Sequence, residues 1–210
     1  MEAVKWAPRF AAVLVLLTCI ATSARGADVT LAPRSIANQS GAAVETGGAR
    51  WIGTGANAAA SRLGIVFAAS GLPTTALRSA TLQITSAWTQ WITVDAQIAV
   101  ELSDHPRDFG PQAPPSQRPV SIEVAHYAEN TRWGGSGVFG IDVTAPVQAL
   151  LARYPNPAAI ALIARGQGSA WGRKFFGASG GTPRLRLTFE DPPAPPPASA
   201  VSLLPASSQP

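Results

Sequence analysis

Apolar and polar residues alternate along most of the stretch from 27 to 190. Leu63, Ile65 and Phe67 form one set, and Ala80, Leu82 and Ile84 a second. A longer alternation runs through Ile92, Val94, Ala96, Ile98, Val100 and Leu102. Val120, Ile122 and Val124 follow, and Leu185, Leu187 and Phe189 complete the series. Successive side chains of a strand point to opposite faces, so each set predicts a strand buried on one side. Strands of this kind, joined by segments rich in Gly, Pro, Asn and Ser, predict an antiparallel sandwich or barrel.

One segment breaks the period. Thr144 can cap a helix, Pro146 suits its first turn, and Val147, Leu150 and Leu151 recur at helical spacing. A short helix is therefore expected before Pro155, lying across an open end of the sandwich. An apolar strand at 159–165, a glycine-rich hairpin and the strand at 183–190 come after it. Two connections are long, His105 to Arg118 and Glu129 to Gly137. No internal repeat is present. The expected class is all-β, a jelly-roll-type antiparallel β-sandwich with one short helix.

The ends read differently from the middle. Lys5 and Arg9 precede an apolar run from Phe10 to Ile20, and small residues follow at 21–24, the pattern of a signal peptide over 1–26. That run is shorter than the ~20 residues a spanning helix needs, so no stable membrane insertion is expected. The folded domain is expected over 27–191. Residues 192–210 form a Pro/Ala/Ser-rich tail, read as disordered or as a semi-rigid spacer. Export to the periplasm, the cell surface or the medium follows from the signal segment.

Removing residues 1–26 also removes Cys19, the chain's single cysteine. The remainder has no disulfide and no thiol chemistry, so its core alone must hold it together. Its 13 Arg/Lys stand against 11 Asp/Glu, about +2, and Lys174 is the one lysine among them. No run of basic residues would track a phosphate backbone, and nucleic acid is not an expected partner.

The candidate chemistry is that of sugar recognition, in which ring C–H groups stack on aromatic faces beside polar or charged groups. Trp91 is expected to point outward from the strand that follows it, and Trp88, on the even phase, to be core. Trp133 lies in a glycine-flanked loop beside Arg132. Trp171 lies in another with Arg173 and Lys174, and Arg165 ends the strand before it. Tryptophan beside arginine suits an anionic sugar, although large aromatics of sandwiches are more often packing residues.

Catalytic readings find less support. Gly177-Ala-Ser-Gly-Gly181 has the spelling of a nucleophile elbow, but Thr182-Pro183 and a strand follow where a helix is required. His126, Tyr127, Glu129 and Arg132 have the residue types of a polysaccharide lyase's acid–base set. Asp104, His105 and Asp108 could touch a metal. A structural calcium held by backbone carbonyls with Asp28 or Asp142 stays open, since carbonyl ligands leave no mark in a sequence. No catalytic set is expected, and no cofactor.

With the strands placed, Arg62 through Phe67, Gly71-Leu72-Pro73 and Ser79 through Leu82 resemble the first half of the DNRLRE domain family. Asp142-Val-Thr144 with Val147-Gln148, the strand at 159–164, Phe175-Phe176 and Pro183-Arg-Leu-Arg-Leu187 resemble the second half. The likeness covers most of 28–190. It implies a secreted or cell-surface jelly roll, some relatives of which bind acidic polysaccharide such as alginate. The stretch after Phe176 and the proline-rich 105–118 segment depart from that pattern.

The expected function is a non-catalytic, exported carbohydrate-binding module, acidic polysaccharide being a candidate ligand. Its partner would be a polysaccharide or a cell-surface glycan. A structural or adhesive surface protein of the same fold is the alternative, and a small polysaccharide lyase the third. Protein partners are not legible in the sequence.

Overall fold

The computed structural model describes residues 26–177 and 181–193. The expected signal segment and nearly all of the tail lie outside them. Twelve strands and one helix follow in order: β1 (Asp28–Leu31), β2 (Pro33–Ser40), β3 (Ala43–Glu45), β4 (Arg50–Gly53), β5 (Ser61–Ala68), β6 (Leu77–Thr85), β7 (Val94–Val100), β8 (Ala125–Glu129), β9 (Val138–Asp142), α1 (Thr144–Arg153), β10 (Ala159–Gly166), β11 (Arg173–Phe176) and β12 (Arg184–Phe189). All pairings are antiparallel. One layer has the order β1-β12-β6-β9 and the other β3-β2-β5-β10-β7-β8. From β5 onward the chain passes repeatedly between the layers, the jelly-roll route.

Strand alternation builds the core. Leu63, Ile65 and Phe67 of β5, Val94, Ala96, Ile98 and Val100 of β7, and Ile160, Leu162 and Ala164 of β10 form the inner face of the six-stranded sheet. Ala80, Leu82 and Ile84 of β6 with Leu185, Leu187 and Phe189 of β12 meet them from the other layer. The helix touches β6 of one layer and β7 and β8 of the other, so it covers one end of the sandwich. The Asp142 carboxylate accepts from the Thr144 amide (2.9 Å) and hydroxyl (2.6 Å), and Val147 and Leu150 turn inward.

β5 and β10 are also apolar on their outer side, where Val66, Ala159, Ala161 and Ile163 join Ala37 of β2. The 105–118 segment is the strap that covers them. Its Phe109 ring lies directly on Gly64, where a β-carbon would come within 2.6 Å of the ring. Only glycine admits so close an approach. Ser116 is bonded both ways to Gln39, at 2.8 and 2.9 Å. Arg118 donates to both oxygens of buried Glu101, at 2.9 and 3.1 Å, and its guanidinium lies 5.0 Å from the Phe109 ring centroid.

Two expectations about strands are corrected. Val120, Ile122 and Val124 are exposed, not half-buried. Ala125 and Tyr127 of β8 pack on the core, which leaves the even positions before them on the outer side. Ile92 is exposed as well, because β7 begins only at Val94. Among the described residues no helix is long and apolar enough to cross a membrane.

Phe109→Ala should destabilise the protein by about 3 kcal/mol, the usual cost of emptying a buried phenylalanine site. The check is the urea midpoint at unchanged slope. An unmoved midpoint would mean that the strap only rests on the sheet.

Candidate functional site

The glycine-rich hairpin after β10 contains a strand the periodicity does not reveal. β11 pairs with β4 to make a two-stranded sheet, with Phe175 opposite Trp51 and Lys174 opposite Ile52. Ser86, next after β6, bridges Phe176, and the Gly177 amide donates to the Thr85 carbonyl at 3.1 Å. The small sheet thus prolongs the four-stranded layer. Ile52 and Phe176 face inward and join the core, Arg173 and Phe175 are on the outer side, and Trp51 on that same side is buried beneath Arg173.

Two buried carboxamides fasten this sheet. Asn38 Nδ2 donates to the Trp51 carbonyl at 2.7 Å, and the Trp51 amide donates to Asn38 Oδ1 at 3.1 Å. On the other side, Gln90 Nε2 donates to the Phe175 carbonyl at 2.7 Å and the Phe175 amide to Gln90 Oε1 at 2.6 Å. Trp51 and Phe175 are cross-strand partners whose main-chain groups point away from each other, so the carboxamides bond the two outer edges of the small sheet at one level. Gln90 also exchanges main-chain bonds with Trp133, at 2.9 and 2.8 Å. Its place in the chain fixes the exposed rings on either side, Trp88 and Trp91.

A ladder of planes rises from the sheet. Trp88 stacks on Phe175 with centroids 5.0 Å apart and planes at 28°. The Arg173 guanidinium lies 4.8 Å from the Phe175 centroid, 4.7 Å from that of Trp171 and 5.3 Å from that of Trp51. Stacking occupies the faces of the guanidinium, and among the described residues its in-plane donors meet no acceptor. Trp88 is 47 % and Trp171 55 % exposed. Trp171 has φ of 68°, a left-handed conformation that costs a bulky residue about 1–3 kcal/mol. Bonds from the Trp171 amide to Gly55 O (3.0 Å) and from the Arg173 amide to Trp171 O (2.8 Å) hold it there. A second pair, Arg132 at 5.0 Å over the ring of Trp91, flanks the bridge between Gln90 and Trp133.

The expected site residues therefore separate. Trp171 with Arg173, and Trp91 with Arg132, are brought together at the surface. Arg165 is also exposed but lies on the outer face of the six-stranded sheet. Trp133 and Lys174, expected to contact ligand, are fully buried. Trp133 stacks on Phe139 at 4.3 Å, and Lys174, on the inward parity of β11, sits 5.0 Å from the Trp133 centroid with its Nζ donating to the Thr131 carbonyl. Trp88, expected in the core, is on the surface, because residues 86–93 are a bent connection to which the parity of β7 does not extend. Trp51 and Phe175 had no local signal. Their partners lie far away in sequence.

The other candidates do not converge. His126 and Tyr127 sit on opposite faces of β8. The His126 ring is 2.8 Å from Asp95, while Tyr127 packs on the core, and burial first, then the Glu129 charge, raise its hydroxyl pKa. Asp108 pairs with Arg34, and His105 with Asp104. Asp28 bonds Thr188 and Arg186, and Asp142 bonds Thr144. Among the described residues no three His, Cys, Asp or Glu side chains gather. Ser179 lies outside the described residues. Compared with known proteins, the chain matches no family model and no curated sequence.

Gln90→Glu exchanges the carboxamide donors for a carboxylate facing the Phe175 and Trp88 carbonyls. It should lower stability by about 2 kcal/mol at neutral pH. The loss should shrink in acid, where a protonated carboxyl can donate again; urea midpoints at both pH values check this.

Lys174 yields a pH prediction of definite sign. Burial lowers its pKa below 10.5, with the Glu129 charge opposing. Between the lowered folded value and 10.5 the unfolded chain binds more protons, so stability rises with pH through that window. Below it the penalty is complete. The urea midpoint of the native protein, taken relative to that of Lys174→Met, isolates this group and should rise as pH approaches 10.5. A constant difference would contradict the burial of a charged amine.

Proposed function

We propose that the protein is an exported, non-catalytic carbohydrate-binding domain whose ligand surface is the ladder Trp88–Phe175–Arg173–Trp171. One observation carries this reading. Two exposed tryptophans and a partly exposed phenylalanine flank an arginine that makes no ion pair and no guanidinium hydrogen bond among the described residues, although the Glu45 charge acts on it from a distance. Flat rings offer stacking area for the C–H faces of successive sugars. The guanidinium between them offers donors suited to a hydroxyl or, bidentately, to a carboxylate. An acidic polysaccharide fits both features.

A polymer binding this platform would meet groups that are already in position. The carboxamide clamps and the bonds around Trp171 order the rings before ligand arrives, which lowers the entropy lost on binding. The alternative of a structural or adhesive protein draws on a different observation. Ile122 is 91 % exposed just before β8, whose outer edge has no strand partner among the described residues.

The test is electrophoresis of the full chain through gels containing neutral or acidic polysaccharide, with and without calcium. Retardation by an acidic polymer is expected, weakened by salt and abolished by Trp171→Ala with Arg173→Ala at an unchanged thermal midpoint. Retardation that survives the double substitution would remove this site. No retardation on any polymer, together with self-association on size exclusion, would favour the adhesive alternative.

A further inference from the structure

The opposite layer carries a second cationic surface that the sugar-binding reading does not use. Across the outer face of the six-stranded sheet, register aligns Gln39, Arg62, Arg165, Gln97 and His126 in one row over five strands. The ends of the row are engaged, Gln39 with Ser116 and His126 with Asp95. The middle is not. Arg62 donates to the Ala59 and Ser61 carbonyls, and neither Arg62 nor Arg165 has a carboxylate partner among the described residues. Like charges directly opposite each other on neighbouring strands oppose sheet formation. Burial and the Arg165 charge together lower the pKa of Arg62, the electrostatic side of the same conflict.

These side chains border a cavity of about 220 Å³ between the sheet and the end of the strap. Arg118 contributes to its lining, and so do Val120 and Val124. The Arg118 side chain is 6 % exposed, yet its Nε has no hydrogen-bond partner among the described residues. The remaining donors of that guanidinium are taken by Glu101 and by main-chain carbonyls. No acidic residue lines the cavity. Donors and positive charge thus meet an apolar wall, at the place where Val120 and Val124 were left exposed by the parity of β8.

We propose that this cavity binds a carboxylate carried on an apolar body. Arg62 and Arg165 take the carboxylate oxygens, as guanidinium groups do in paired geometry, and Val120 and Val124 pack against the body. Binding would offset the repulsion between the two arginines. The site is independent of the aromatic ladder, which lies on the other layer.

The experiment is titration of the full chain with sodium benzoate, followed by amide NMR shifts. Saturable shifts are expected around Gln97, Val124 and Arg165. Arg62→Gln and Arg165→Gln should each weaken binding about tenfold, the worth of one charge-assisted hydrogen bond. Arg173→Gln on the ladder should leave it unchanged. Benzyl alcohol, which keeps the ring and lacks the charge, should not bind. The proposal is overturned if benzoate does not saturate, or if the double Arg62→Gln, Arg165→Gln protein, shown folded by its melting curve, binds it as well as the native chain. Sulfate binding as tightly as benzoate would overturn the role of the apolar wall.

Discussion

Two buried carboxamides, Asn38 and Gln90, hold the part of the molecule on which every other feature of the ladder depends. Each spends a donor and an acceptor on one backbone position, as a neighbouring strand would. The small sheet of β4 and β11 has only two strands, and two strands alone are marginal in water. Bonded on both sides at the level of Trp51 and Phe175, it behaves as the middle of a four-member row. Such groups must be fully satisfied to be tolerated inside a protein, and that demand ties the position of the rings to the integrity of the core.

A second constraint shapes the other layer. β5 and β10 are apolar on both faces, as buried central strands tend to be, so the six-stranded sheet needs a cover on its outer side. The strap supplies it with one ring, Phe109, seated on a glycine, and anchors itself through the buried Arg118–Glu101 pair. That pair contributes definition more than stability, because taking two charges from water offsets much of their attraction. The cover ends at the Arg62–Arg165 row, where Ser116 bonds Gln39 and Arg118 borders the cavity. The uncovered half of the face is therefore polar, and the boundary between the halves is where the cavity forms.

Most of the sandwich was legible because a continuous strand has strict parity. The inward sets of β5, β6, β12 and the body of β7 follow directly from spacing two, and the helix from Pro146 in its first turn and its buried Val147 and Leu150, although Thr144 is its first residue and the cap position falls to Val143. Parity misled where the chain bends. Trp88 and Ile92 precede β7, so their phase says nothing about the strand beyond, while Val120, Ile122 and Val124 share the outer phase of β8, which spacing alone does not tell from the inner one. The site was harder to read than the fold for a related reason. β11 is four residues between glycine-rich turns, too short to show a period, and this put Lys174 on the wrong side. The clamps join residues 13 and 85 positions apart, a distance at which local pattern carries no information.

Both cationic surfaces share a trait that packing alone does not favour. Trp171 holds a left-handed backbone with its ring in solvent, and Arg62 faces Arg165 across a strand pair with no acid between them. Neither adds to the stability of the sandwich, and each departs from a local rule that the rest of the chain obeys. Departures of this kind persist where the surrounding structure holds them and where something outside the fold makes use of them. Arginine is the residue in both places, while the one described lysine is buried beneath Trp133. A guanidinium can stack on a ring and still direct its donors outward, which an ammonium cannot.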